Sequence, residues 1–171
     1  MELIIFIRVF LGTILLAAAI PKLISLKSFR TTLVQLGIKK LSFSISIVIV
    51  FSEIIVGILL YIDKIQKIGG VMVIVLSFGY LWAAWRSKRI NNEIACNCFG
   101  NLIPETLGYH TVGKVVFLLL LDYSPLIYNS TLFDYSFYKI VIYIFVSLIS
   151  IGLYGLILTI NNLKNSWEGG L

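Results

Sequence analysis

The sequence predicts an all-α fold: an integral membrane helical bundle of about four to five transmembrane helices. Three observations carry that expectation. Apolar residues fill 59% of the 171 positions, and mean hydropathy is +0.99, whereas water-soluble domains run at about 45–50% apolar. The apolar residues come in long runs rather than amphipathic stripes, and the charges gather between the runs. That leaves too little polar surface to coat a soluble globule. The length fits one domain, residues 1–171.

The first run is Leu3 to Ile20. Ala17-Ala18-Ala19 resembles a signal-peptidase site, but Glu2 is acidic and the nearest base, Arg8, lies inside the run. The segment therefore reads as a retained helix, closed by Pro21 and Lys22. Residues 22–40 follow another rule. Leu23, Leu26, Phe29, Leu33 and Leu36 recur at three- and four-residue steps, with Lys22, Lys27, Arg30, Thr31 and Gln35 between them. This predicts an amphipathic helix in the membrane interface, stopped by Gly37.

The second span is Leu41 to Ile62. As a helix it puts Ser42, Ser46, Glu53 and Gly57 on one face. Ile68 to Trp85 forms the third, with Gly70, Ser77 and Ala84 as a small-residue seam for close helix contact. A polar loop, 90–108, precedes a fourth span from about Tyr109 to Asp122, with Tyr128 as its far limit across Pro125. The stretch from Tyr123 to Tyr138 is rich in Tyr and Phe, as at a membrane interface. The last span is about Tyr138 to Ile160, followed by a polar tail.

Charge orients these spans. The chain carries 14 Lys and Arg against 8 Asp and Glu. Lys22, Lys27, Arg30, Lys39 and Lys40 fall in the first loop, and Arg86, Lys88 and Arg89 in the third. The second loop has Lys64 and Lys67, and the fourth has Lys139. The positive-inside rule puts the first and third loops in the cytoplasm. Basic loops beside a bilayer account for the charge without nucleic acid, because no basic stripe with interleaved aromatics runs outside them. The expected location is the cell membrane, as a multi-pass protein in contact with the lipid bilayer.

Cys96 and Cys98 are the only cysteines. They form one local site rather than a disulfide framework spread through the chain. A thiolate attacks or exchanges disulfides, and bridging this pair requires a turn, which Asn97 and Gly100 permit. Arg86, Lys88 and Arg89 would lower a thiol pKa if the loop folded back on them. Two inert thiols fit the bare pair equally well. Metal binding is disfavoured, because His110 is the only histidine and would make at most three ligands with the cysteines. No metal site and no cofactor are expected.

Charges inside the spans are the second constellation. Arg8 lies about 9 Å into its helix, and Glu53 about 13 Å from the end of its helix on the same membrane side. Charges at this depth are costly and usually paired. An Arg8–Glu53 ion pair between two helices is the expectation. A proton or ligand site that also uses Asp122, or an Arg8 that reaches back to the interface, are the alternatives.

Several of these residues resemble a known family. Arg8-Val9-Phe10-Leu11-Gly12, the stretch Ala17 to Leu23 and a segment centred on Phe29 resemble the opening of the DoxX-like membrane proteins. Glu53 followed by Gly57 is similar to their E-x-x-x-G signature. Arg86 to Arg89 followed by Cys96-Asn97-Cys98-Phe99-Gly100 resembles the arginine-then-C-x-C-F-G pattern of the methylamine utilisation protein MauE family. The resemblance covers about residues 3–125, with an extra C-terminal helix at about 138–160.

What the resemblance implies is a helical membrane protein of thiol/disulfide redox type. Such proteins are linked to maturation of the disulfide-rich small subunit of methylamine dehydrogenase, beside a thioredoxin-like partner. Cys96 and Cys98 would then carry the exchange with a thioredoxin-like or secreted cysteine-containing partner, and Asn97, Phe99 and Gly100 would shape the turn. The charge count places this loop in the cytoplasm. From there it would pass electrons from a cytoplasmic reductant, unless it re-enters the membrane. The competing functions are a small transporter or channel lined by Arg8 and Glu53, and a structural membrane subunit.

Overall fold

The computed structural model describes residues 2–90, 95–96, 105–106, 109–127 and 137–168. Helix α1 is Glu2–Ile24, α2 is Leu26–Gln35, α3 is Ser42–Leu59, α4 is Gln66–Ile90, α5 is Tyr109–Ile127 and α6 is Phe137–Glu168. A 3₁₀ turn, Asp63–Ile65, leads into α4. Between α4 and α5 two short strands, β1 (Ala95–Cys96) and β2 (Glu105–Thr106), pair antiparallel with Ala95 opposite Thr106 and Cys96 opposite Glu105.

Among the described residues four stretches are long and apolar enough to cross a membrane: Glu2–Ile24, Ser42–Leu59, Asp63–Ile90 and Phe137–Ile160. The fifth helix, α5, has 19 residues and packs against α1 and α4. Its Lys114 and Asp122 dilute an otherwise apolar sequence. Helices are the only open-chain solution in lipid, because each backbone N–H and C=O must find its partner within the segment.

The core runs along α1. Leu11 and Leu15 pack with Val56, Leu60 and Val73, while Ile5 and Val9 meet Ile140, Tyr143 and Ile144 of α6. The outward faces are apolar as well, with Val48, Phe51, Val75, Phe78, Phe145 and Ile149 all exposed. In water such a surface would drive aggregation; against acyl chains it is the matched solvent. The two faces expected from the sequence are present. Ser42, Ser46, Glu53 and Gly57 are buried together on α3, and Gly70, Ser77 and Ala84 on α4.

At Gly12 and Gly57 the backbones of α1 and α3 come close. A Cβ on Gly12 would stand 3.2 Å from the Gly57 carbonyl oxygen and 2.7 Å from Tyr61 Cε2. A Cβ on Gly57 would stand 2.9 Å from Leu16 Cγ. Small residues at this crossing let dispersion act between backbones, which is the main attraction left when lipid is as apolar as leucine.

The amphipathic helix α2 buries Phe29 and Leu33 against Ala19 and Val50 and leaves Lys27, Arg30 and Thr31 exposed. It stops at Gly37, whose φ of 91° is left-handed. Gly37 N–H donates to Val34 O and Ile38 N–H to Leu33 O, both at 3.0 Å, a Schellman ending.

One helix boundary needs correction here, and two others are extended. Helix α1 does not close at Pro21 but carries it in its last turn and runs to Ile24, so Lys22 is a buried helix residue and not a loop charge. Proline inside a helix costs one N–H donor, and near the helix end few bonds depend on it. The last span matches the expected bounds, Phe137–Ile160, and the polar tail after it continues as helix to Glu168. Helix α5 takes the longer of the two extents expected for it, passing through Pro125 and ending at Ile127.

Candidate functional site

Among the described residues two ion pairs sit inside the bundle, and neither is the one expected from the sequence. Arg8, 1% exposed, donates through Nη1 to Asp63 Oδ1 at 2.7 Å and through Nε to the Leu60 carbonyl. Leu60 and Asp63 lie just beyond the C-terminus of α3, where helix carbonyls lack intrahelical donors, so a guanidinium serves both a carbonyl and a carboxylate. Glu53 instead bonds Lys22 Nζ and the Tyr80 hydroxyl, both through Oε1, and Lys22 Nζ also lies 2.9 Å from Tyr80 Oη. Lys22 and Glu53 are each 1% exposed.

The expected Arg8–Glu53 pair is therefore absent, for a geometric reason. Side chains lean toward the N-terminus of their own helix. Helices α1 and α3 are successive spans and run in opposite directions, so Arg8 leans toward one membrane face and Glu53 toward the other. Similar depth along the two axes does not bring their charged ends together. Lys22 leans back along α1 toward Glu53, and its ammonium also sits 5.2 Å from the Tyr80 ring centroid and 5.5 Å from that of Phe29. Both are cation–π distances. Each pair sets one positive charge against one negative charge, which offsets the cost of burial in a low-dielectric bundle.

Asp122 is also 1% exposed, and neither of its carboxylate oxygens has a hydrogen-bond partner. It joins neither ion-pair cluster. Lys22, Asp63 and Tyr80 were not singled out in the sequence. Two signals were there to be read: a lysine next to the proline of an apolar run, and a hydroxyl-bearing ring in mid-span.

The cysteine region lies where α4 gives way to α5. The ladder pairs Ala95–Cys96 with Glu105–Thr106, so Cys96 stands on β1 opposite Glu105. The supporting residues Asn97, Phe99 and Gly100, like Cys98, lie outside the described residues, as does the side chain of Cys96. Arg86, at the same end of α4, donates through Nε to Leu36 O of the α2 ending at 2.6 Å. This tie fixes the C-terminal ends of α2 and α4 at one face of the bundle. Among the described residues no group of three or more His, Cys, Asp or Glu is placed to hold a metal ion.

A helical bundle with a lipid-matched surface, buried ion pairs and a cysteine-bearing β1–β2 hairpin between α4 and α5 defines a multi-pass membrane protein. The chain belongs to the methylamine utilisation protein MauE family, whose pattern matches residues 1–128. No curated protein and no solved structure matches it.

Proposed function

We propose that this protein works by thiol–disulfide exchange in the cell membrane and assists the maturation of a partner protein in methylamine utilisation. The observation that carries the reading is the antiparallel ladder of Ala95–Cys96 with Glu105–Thr106, between α4 and α5 in a chain of the MauE family. Both cysteines fall in the polar stretch between α4 and α5, outside the apolar spans, and exchange with a second protein needs thiols that the partner can reach. A buried pair could not exchange with a second protein.

The exchange balances without any bound group. A thiolate of the pair attacks the disulfide of a thioredoxin-like or secreted cysteine-containing partner. One partner thiolate leaves, and a mixed disulfide forms. The second cysteine displaces the remaining partner thiolate and closes the Cys96–Cys98 disulfide, so two electrons pass to the partner. The reverse sequence oxidises a partner dithiol instead. The helical bundle anchors this stretch in the membrane, and the Lys22–Glu53–Tyr80 cluster ties α1, α3 and α4 together.

The test is a pair of serine variants. Cys96→Ser and Cys98→Ser should each abolish partner maturation, and the double variant should be no worse than either, since residues acting as one unit are not additive. One single variant should accumulate a partner-linked mixed disulfide on non-reducing gels. Full maturation by the double variant would refute the reading.

A further inference from the structure

A cavity of about 330 Å³ lies within the bundle, between α1, α4, α5 and α6. Its walls are apolar and aromatic, with Phe10, Tyr80, Phe117 and Tyr154 among them. Its polar lining is Lys22, Glu53, Thr111, Lys114 and Ser150; the Lys114 ammonium lies 4.9 Å from the Tyr154 ring centroid, and the Ser150 hydroxyl donates to Val146 O. The volume falls at the lower end of the roughly 300–1,000 Å³ typical of small-molecule sites. Phe117 and Tyr154 are 54% and 38% exposed on the lipid-facing surface, so the cavity opens sideways into the bilayer rather than to water.

Two buried polar atoms there are unused. Glu53 spends Oε1 on Lys22 and Tyr80, while Oε2 has no hydrogen-bond partner. Thr111, 5% exposed, has no partner for Oγ1. Buried polar groups left unmade are expensive in a low-dielectric interior, more so with no water in the surrounding hydrocarbon. A carboxylate oxygen needs a donor, and the threonine hydroxyl can give or take a hydrogen bond. An incoming hydroxyl satisfies both. It donates to Glu53 Oε2 and accepts from Thr111 Oγ1. An anionic head would bring a second negative charge against Glu53 Oε2, and Lys22 is already engaged with Glu53 and Tyr80. A purely apolar molecule leaves both atoms orphaned.

We propose that this cavity binds a neutral, lipid-soluble phenol that enters from the bilayer, with its hydroxyl held between Glu53 and Thr111 and its ring among Phe10, Tyr80, Phe117 and Tyr154. The volume holds the ring and the start of an apolar tail, and the remainder runs out past Phe117 and Tyr154 into lipid. The site is separate from the cysteine hairpin and stands whether or not the thiols exchange. Helix α5 begins three residues after β2, so the polar wall at Thr111 lies in the half of the bundle nearest that hairpin.

The experiment is equilibrium binding to the full chain in lipid nanodiscs with three probes: geranylphenol, geranylbenzene, which lacks only the hydroxyl, and geraniol, which lacks the ring. Geranylphenol should bind saturably at one per chain, with the other two weaker by about tenfold or more. Thr111→Val should weaken geranylphenol by about five- to tenfold and leave geranylbenzene unchanged. Ile151→Trp, which fills the cavity, should abolish saturable binding of all three. Equal affinity for geranylphenol and geranylbenzene would mean a lipid-filled crevice and overturn the proposal. Equal affinity for geraniol would overturn the aromatic head. Unchanged geranylphenol binding in Thr111→Val, which keeps the side-chain shape and hence the fold, would overturn the site itself.

Discussion

Lys22 and Glu53 depend on each other at the residue scale. Both are 1% exposed, and removing one leaves the other charged in a place that water does not reach. Lys22→Met is expected to cost about 3–5 kcal/mol of unfolding free energy, the usual penalty for breaking a buried pair. The Lys22→Met/Glu53→Met double variant should recover most of that, because an apolar pair of similar volume carries no desolvation debt. Chemical denaturation of the purified protein in mild detergent measures both. Arg8→Met should cost less than Lys22→Met, since its partner Asp63 is 14% exposed and can rehydrate. The presence of buried charges was legible in the sequence, as Arg8 and Glu53 stand inside apolar runs. Their partners were not, because depth along a helix axis does not say which way a long side chain leans. Lys22 was read as a loop charge because Pro21 looked like a helix end, and a proline in a last turn ends nothing.

Helix crossings set the next scale. At the α1–α3 crossing Gly12 and Gly57 leave room only for hydrogen atoms, while Gly79 on α4 has open space around it. Gly57→Leu should therefore force the two helices apart and lose about 1–3 kcal/mol by overpacking. Gly79→Ala should gain about 0.5–1 kcal/mol, because it removes backbone entropy from a helix interior without meeting a neighbour. Comparing their denaturation midpoints with that of the unaltered protein separates packing from helix propensity; equal effects at both sites would contradict the crossing described. At Gly37 the backbone φ of 91° and an Arg86 Nη2 only 2.8 Å from the position of a Cβ act together, so Gly37→Ala is strained twice over. These elements were largely readable. The five apolar runs, the amphipathic α2 and its glycine stop follow from period and punctuation alone. The small-residue seams on α3 and α4 were legible as faces, but the partner of each face was not, since that is settled by which helices fit at backbone distance.

For the whole molecule the consequence is a bundle with two chemically different faces. The tie from Arg86 to Leu36 O puts the α2 ending and the α4 ending on one face. Lys27, Arg30, Lys39, Lys40, Arg86, Lys88 and Arg89 then all belong to that face, and so does the cysteine hairpin that follows α4. The opposite face holds Lys64, Lys67 and Lys139, with Lys139 bound to Glu2 at 2.7 Å and Asp63 close by to take Arg8. Moving Lys22 from the first loop into the core removes one charge from the count but leaves the imbalance intact, so the positive-inside rule still assigns the hairpin face to the cytoplasm. Relative sidedness follows from the fold, and absolute sidedness from charge, and one labelling series tests them separately. In a Cys96→Ser/Cys98→Ser background, single cysteines are placed at Lys27, Lys88 and Lys64, all on exposed positions. An impermeant thiol reagent applied to intact cells should label the Lys64→Cys protein and spare the other two until the membrane is permeabilised. Lys27→Cys and Lys88→Cys labelling together in intact cells, with Lys64→Cys protected, would reverse the orientation and leave the fold standing. Lys27→Cys and Lys88→Cys labelling from opposite sides would break the fold, because no bundle with Arg86 on Leu36 O can place α2 and the end of α4 on different faces of the membrane.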